Sequence, residues 1–180
     1  MSRICLATTV ILLSLALGAS PAAAQAPHVL RSPDAAIEVR VTAGDRLSYD
    51  LAVNDTPLVA GATLAMTIDG RTLGAAPSIV GTARRSHDGV VRPPVRQKAE
   101  ILRDHYNELR LELDGGFAVV FRAYDEGVAY RFETLLPQAS VTVEAEEAVV
   151  RFTHDFVVFF PEELGFFSHN ERHYLPRALR

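Results

Sequence analysis

From Ala36 onward apolar and polar residues alternate with a period of two, and this pattern constrains the fold more than any other feature of the chain. Side chains that point alternately to two faces call for half-buried strands. "IEVRVTA" shows the alternation from Ile37, and "RLSYDLAV" repeats it after the turn "GD". "NDTP" reads as a turn, with Pro57 fixing its backbone angle. "TLAMTID", "ELRLELD", "FAVVFRAYD", "VAYRFETLL", "SVTVEAE" and "AVVRFTHDF" carry the pattern on. In "LELDGGFAVVFRAYDEGVAYRFE" three strands are joined by "DGG" and "DEG", both hairpin signals. Short strands at regular spacing with Gly, Asp and Asn between them predict an all-β fold, an antiparallel β-sandwich or barrel. Helical signal is thin: "QKAEILRDHYNEL" is read as a strand entering the meander, because it runs into clear alternation. "RRSHDGVVRPPVRQ" is read as a long loop, Pro93-Pro94 being incompatible with regular structure.

The start of the chain is of another kind. Met1-Ser2-Arg3 is a short basic segment, and "ICLATTVILLSLALGA" from Ile4 to Ala19 is apolar and uncharged. Ala22-Ala23-Ala24 supplies small residues for cleavage, so residues 1–24 are expected to be a secretory signal peptide and 25–180 the mature domain. The run is shorter than the roughly 20 residues of a membrane span. The expected location is the periplasm or the exterior, with no membrane partner after cleavage. The single cysteine, Cys5, falls inside the signal, so disulfides, thiolate metal sites and a cysteine nucleophile are excluded from the mature chain. Acidic residues number 22 against 18 basic ones, with no basic run to track phosphates, so nucleic acid is not an expected partner.

Several clusters offer chemistry, and each has a plainer structural account. In "RDHYNEL", Asp104, His105, Asn107 and Glu108 could serve acid-base work. On a strand, however, Asp104 and His105 point to opposite faces, and turn bonds around a packed Tyr106 explain them as well. Asp125 and Glu126 are adjacent acids at a hairpin tip, expected in water, while Phe121, Tyr124, Tyr130 and Phe132 are expected as core or cross-strand pairs. His154 reads as a core or edge residue, and Glu144, Glu146 and Glu147 as a solvated face. The tail "HNERH" places His169 and His173 four apart, which on a helix would share one face and suit zinc. The order is not that of the zinc-protease helix, in which glutamate follows the first histidine. Glu171 by itself reads as a surface acid.

The stretch "AEILRDHYNELRLEL…FAVVFRAYDEGVAYRFE" resembles the N-terminal domain of glycoside hydrolase family 97, the α-glucosidase and α-galactosidase group. "SPDAAIEVRVTAGDRLSYDLAVNDTPLV" fits the opening of the same domain, and the resemblance runs from about Arg31 to the end. It implies a large, supersandwich-like β-sandwich leading into a (β/α)8 barrel that bears the catalytic carboxylates, so that this chain would stop short of the barrel with its sandwich incomplete at the C-terminal end. It also implies a calcium ion held mostly by barrel glutamates, with one ligand from this domain, in a segment of the form Y-E-x-x-Y after a strand ending in F-P. Here that strand is "FVVFFPEE" and the segment is "NERHY": Glu171 is the implied calcium ligand, Tyr174 keeps the spacing, and Asn170 stands where an aromatic is usual. The function so implied is a non-catalytic portion of an exported α-glycoside hydrolase, bracing the barrel and donating Glu171, with carbohydrate met only through the full enzyme. Two alternatives stay open. One is a free-standing carbohydrate-binding module, against which the absence of Trp counts. The other is a small zinc protein using His169 and His173.

Overall fold

A computed structural model describes residues 26–95, 99–169 and 171–179. The expected signal peptide lies outside the described residues. Those described form strands and irregular connections with no helix, as the period of two requires.

The first sheet opens with β1 (His28–Arg31), β2 (Ile37–Ala43), β3 (Leu47–Val53) and β4 (Thr56–Ile68) in a simple antiparallel meander, with β5 (Arg71–Leu73) folded back on β4. Turn residues set this order. Asn54 and Asp55 both have positive φ, 48° and 62°, as do Asp69 and Gly70, at 47° and 73°. Two central residues of that hand make the primed turn whose twist matches paired strands. Pro57 is thus not a turn residue; it is the second residue of β4. At Gly74 the backbone is left-handed, and a Cβ there would lie 2.7 Å from the Leu64 carbonyl oxygen, so only glycine lets this corner close on β4.

The second sheet runs β6 (Ile79–Val91), β7 (Leu102–Leu113), β8 (Phe117–Tyr124), β9 (Gly127–Thr134) in chain order. "DGG" and "DEG" are its two tight turns, as the sequence predicts. The expected loop at 84–97 is corrected in its first half: Arg84 to Val91 continue β6, paired residue for residue with β7 down to Val91 opposite Leu102. Pro93 and Pro94 then end the strand, because proline has no N–H for the ladder. The polar run misled because an edge strand with solvent on both sides needs no apolar alternation.

The chain then returns to the first sheet, where β10 (Val143–Val149) pairs with β4. "AVVRFTHDF" is not a continuous strand. After Val149 the ladder gives way to an isolated bridge, Phe152 to Val59, flanked by backbone hydrogen bonds from Ala60 N–H to the Arg151 carbonyl at 2.9 Å and from Thr153 N–H to the Leu58 carbonyl at 3.1 Å, which keep it beside β4.

The two sheets pack face to face. Val39, Val41, Leu47, Leu64 and Ile68 of the first meet Leu109, Leu111, Val119 and Phe121 of the second, all buried. The Tyr49 ring stacks edge-on against Phe121 across the layers at 5.6 Å. Tyr130 and Phe132 flank this core, packed across the strands against Phe121 and Phe117, in keeping with their expected structural role. This is the predicted antiparallel β-sandwich.

Candidate functional site

The candidate residues fall into two regions. The first is the outer face of the second sheet. Tyr106, Glu108 and Arg110 share that face on β7, with Arg85 and His87 beside them on β6 and Arg122 and Tyr124 on β8. Glu108 is buried and accepts Arg85 Nε at 2.6 Å, Arg85 Nη2 at 2.9 Å and Arg122 Nε at 2.7 Å. The Arg122 guanidinium lies 4.2 Å from the centre of the Tyr106 ring. The hydrogen bonds from Arg85, and next those from Arg122, hold the Glu108 carboxyl at about 2 against the opposing effect of burial. Both arginines are held above their ordinary value, chiefly by the hydrogen bond to Glu108. A carboxylate held ionised by two guanidinium groups cannot carry a proton at neutral pH, so Glu108 is a cross-strand tie and not a general acid.

Its neighbours in "RDHYNEL" are engaged likewise. Asp104 faces His87, with Oδ2 3.4 Å from Nε2. His105 points to the other side, its Nδ1 3.7 Å from Asp125 Oδ2, beyond hydrogen-bond length. Asp125 is not the solvated tip acid expected: its Oδ1 accepts the Asp34 backbone N–H at 2.9 Å and ties the two sheets together at that end. Nor are the β10 acids merely solvated. Glu146 accepts from the Tyr130 hydroxyl at 2.9 Å, and Glu147 from Thr63 Oγ1 at 2.9 Å and from Arg46. Burial and the bond to Glu146 raise the Tyr130 hydroxyl to about 12. His154 stands exposed and contacts Thr153 Oγ1 at 3.0 Å.

The second region is the tail. β11 (Val157–Pro161) and β12 (Tyr174–Ala178) pair with each other as a ribbon, and Glu171 lies exposed in the connection between them. "VVFFP" supplies a short apolar strand, and Arg177 of β12 reaches Glu162, just past the end of β11, Arg177 Nη2 to Glu162 Oε2 at 3.0 Å. Glu163 organises the connection by accepting from Ser168 and lying 3.6 Å from Arg172, while its Oε1 is buried without a hydrogen bond. Sequence reasoning passed over Glu163; the acid pair after Pro161 is its only signal. The Glu171 backbone N–H donates to His169 Nδ1 at 3.0 Å. Residues 171–173 are irregular, so the helical face that would align His169 with His173 does not form.

Whether these residues suit calcium is a question of donors. Glu171 offers the hard carboxylate oxygens that calcium takes. The shell needs about six to eight oxygens, and among the described residues no group of three or more His, Cys, Asp or Glu is placed to hold a metal ion. By donor type Glu171 could give calcium one carboxylate, and the described residues around it do not make up a shell. Two hollows on the sandwich bear on carbohydrate binding. One, of about 330 Å³, is lined by residues that include Glu38, Arg40 and Asp50; the other, of about 460 Å³, by residues that include Arg84, Ser86 and Asn107. No aromatic ring lines either, so neither offers a sugar-stacking platform; Phe152 does line a third, of about 430 Å³, and Tyr124 and Tyr130 a small one of about 120 Å³.

Comparison with known proteins places this geometry in context. The family described as Glycosyl-hydrolase 97 N-terminal matches residues 30–180. A retaining α-galactosidase of Bacteroides thetaiotaomicron is 39% identical over 110 residues, which is 61% of this chain and 16% of that protein. A crystal structure of a β-arabinopyranosidase superposes with a TM-score of 0.68 at 24% identity, covering 78% of this chain and 24% of its own. A glycoside hydrolase family 97 enzyme from Pseudoalteromonas sp. strain K8, solved with panose, superposes with a TM-score of 0.64 at 18% identity, covering 75% of this chain and 22% of its own. At these identities the superpositions speak for the fold. The chain spans less than a quarter of the length of each of these proteins.

Proposed function

Because this chain belongs to the family of glycoside hydrolase 97 N-terminal domains, we propose that it acts as the non-catalytic β-sandwich of an exported enzyme that cleaves α-glucosides or α-galactosides. In this account the sandwich braces a catalytic barrel carried by further polypeptide, and Glu171 extends one carboxylate to a calcium ion held mainly by that barrel. The observation that carries it is the setting of Glu171: an exposed acid on the ribbon connection of a family domain, with no metal-binding cluster of its own among the described residues. When bound, calcium would supply Lewis acidity toward the sugar or the attacking water. The part of this chain is to present a carboxylate at a fixed place, and the Glu162–Arg177 pair, which ties the start of the connection to β12, serves that end.

Calorimetric titration of calcium tests the proposal. A single carboxylate binds calcium in the millimolar range or weaker, and Glu171→Gln is expected to abolish what heat there is. Micromolar affinity in the chain by itself, or affinity unchanged in Glu171→Gln, would overturn the assignment. Export rests on residues 1–24, with their basic start, apolar run and Ala22-Ala23-Ala24. The mass of the protein recovered from a bacterial periplasm is expected to correspond to a chain beginning at Gln25. Recovery of uncleaved chain in the membrane fraction would count against it.

A further inference from the structure

His105 stands where the two sheets are tied together, and its ring leaves a polar atom unused. On β7 it shares a face with Asn107, whose Nδ2 donates to the Arg31 carbonyl at 2.9 Å, so this face of the second sheet is turned toward the first. Its Nδ1 is buried and makes no hydrogen bond with the described residues, although Asp125 Oδ2 lies 3.7 Å away. The other oxygen of that carboxylate is engaged, Oδ1 accepting the Asp34 N–H at 2.9 Å. Asp34 in turn shapes the β1–β2 turn, its own Oδ1 accepting from Ser32 Oγ at 2.6 Å and from the Ala36 N–H at 2.9 Å. β7, the β8–β9 turn and the β1–β2 turn thus meet at one carboxylate, and the histidine side of that junction stands open. A buried nitrogen facing a carboxylate is costly as a bare lone pair and favourable as a charged donor.

We propose that His105, Asp125 and Asp34 form a proton-operated clasp between the two sheets. With the ring neutral, Nδ1 is a bare acceptor that holds the carboxylate off, and the 3.7 Å gap is the open state. With the ring protonated, Nδ1 becomes a donor, and a bond between charged partners closes to about 2.7–2.9 Å. Drawing Oδ2 in fixes the Asp125 carboxylate beneath the Asp34 N–H and so tightens the tie to the first sheet. The other charges near the ring do not compete for this role. On β6, Asp88 lies opposite His105, but both of its oxygens bond Arg103, at 3.1 Å each. Arg103 stands two residues before His105 on the same face of β7, and Glu126 follows Asp125 in the turn. Asp104 belongs to the opposite face, where it meets His87. Histidine changes its charge between about pH 5 and 8, whereas carboxylates ordinarily do so near about pH 4. The clasp therefore closes as pH falls through the histidine range and opens as pH rises through it.

Imidazole nitrogen NMR and amide hydrogen exchange on the 180-residue chain, between about pH 8 and about pH 5.5, test it. At the alkaline end His105 is expected to carry its proton on Nε2 and none on Nδ1; at the acid end both nitrogens carry one. The Asp34 amide, corrected for its intrinsic rate, is expected to exchange at least threefold more slowly at the acid end, while amides of β4 keep their protection. His105→Gln and Asp125→Asn are each expected to remove that pH dependence. Asp125→Asn keeps a side-chain oxygen for the Asp34 N–H, so the amide should stay protected at the level of the open state, which separates loss of the switch from loss of the tie. Asp88→Asn is expected to leave the pH dependence in place. A proton on Nδ1 at the alkaline end would overturn the proposal, because the ring would then be a donor throughout. So would an Asp34 rate indifferent to pH, a dependence that survives in Asp125→Asn, or one that disappears in Asp88→Asn.

Discussion

Glu108 shows how far a residue can be read from sequence and where the reading stops. Its place in "RDHYNEL" suggested acid-base chemistry or a structural role, and alternation separated only Asp104 from His105. Neither reveals that Arg85, 23 residues earlier, lies opposite it on the neighbouring strand, because β6 was not legible as a strand. The tie has a consequence that can be measured. The folded carboxyl sits at about 2, below its ordinary 4.5. Its stabilisation is therefore complete above the unfolded value and is lost as pH falls from there through about 2. Replacing it, as Glu108→Gln, leaves two guanidinium groups without their shared counter-charge. Loss of a buried partner costs about 3–5 kcal/mol, reduced here to about 2–3 kcal/mol because Arg85 is more than half exposed. Urea midpoints measured from pH 7 down to pH 2 are expected to fall steeply for the wild type. For Glu108→Gln they are expected to start lower and fall less. Parallel profiles would show that the tie contributes nothing to acid stability.

At the scale of elements, turn chemistry was the most legible signal and polar strands the least. "DGG" and "DEG" mark the tight turns of the second sheet, because backbone of positive φ or high curvature selects Gly, Asn and Asp. In "NDTP" the signal was present but divided differently: Asn54 and Asp55 take both central positions, leaving Pro57 to the strand. Asp55 holds φ at 62° with a side chain, which costs a non-glycine residue energy. Asp55→Gly is expected to stabilise the domain by about 0.5 kcal/mol, a thermal midpoint higher by about 1–2 °C. A lower midpoint would mean that the Asp55 side chain makes a contribution larger than the strain. β6 and the ribbon were missed or half-read for opposite reasons. β6 is polar because it lies at an edge, and β11–β12 is apolar although nothing among the described residues buries it.

For the molecule as a whole, the period of two, the hairpin signals and the resemblance to one family domain agreed, and the sandwich and the family follow from them. The candidate site was legible only as the identity of Glu171. That it projects from a ribbon detached from both main sheets depends on which strands find partners, and no local pattern encodes that. The central claim is the proposal made above, that this β-sandwich presents one carboxylate to a cation and that the catalytic groups belong to another part of the enzyme. The most direct test is hydrolysis of an aryl α-glucoside and an aryl α-galactoside by the purified chain, with calcium present. The expected result is release of the aryl group no faster than in buffer. Turnover of either substrate that rises in proportion to the chain and follows it through chromatography would contradict the account.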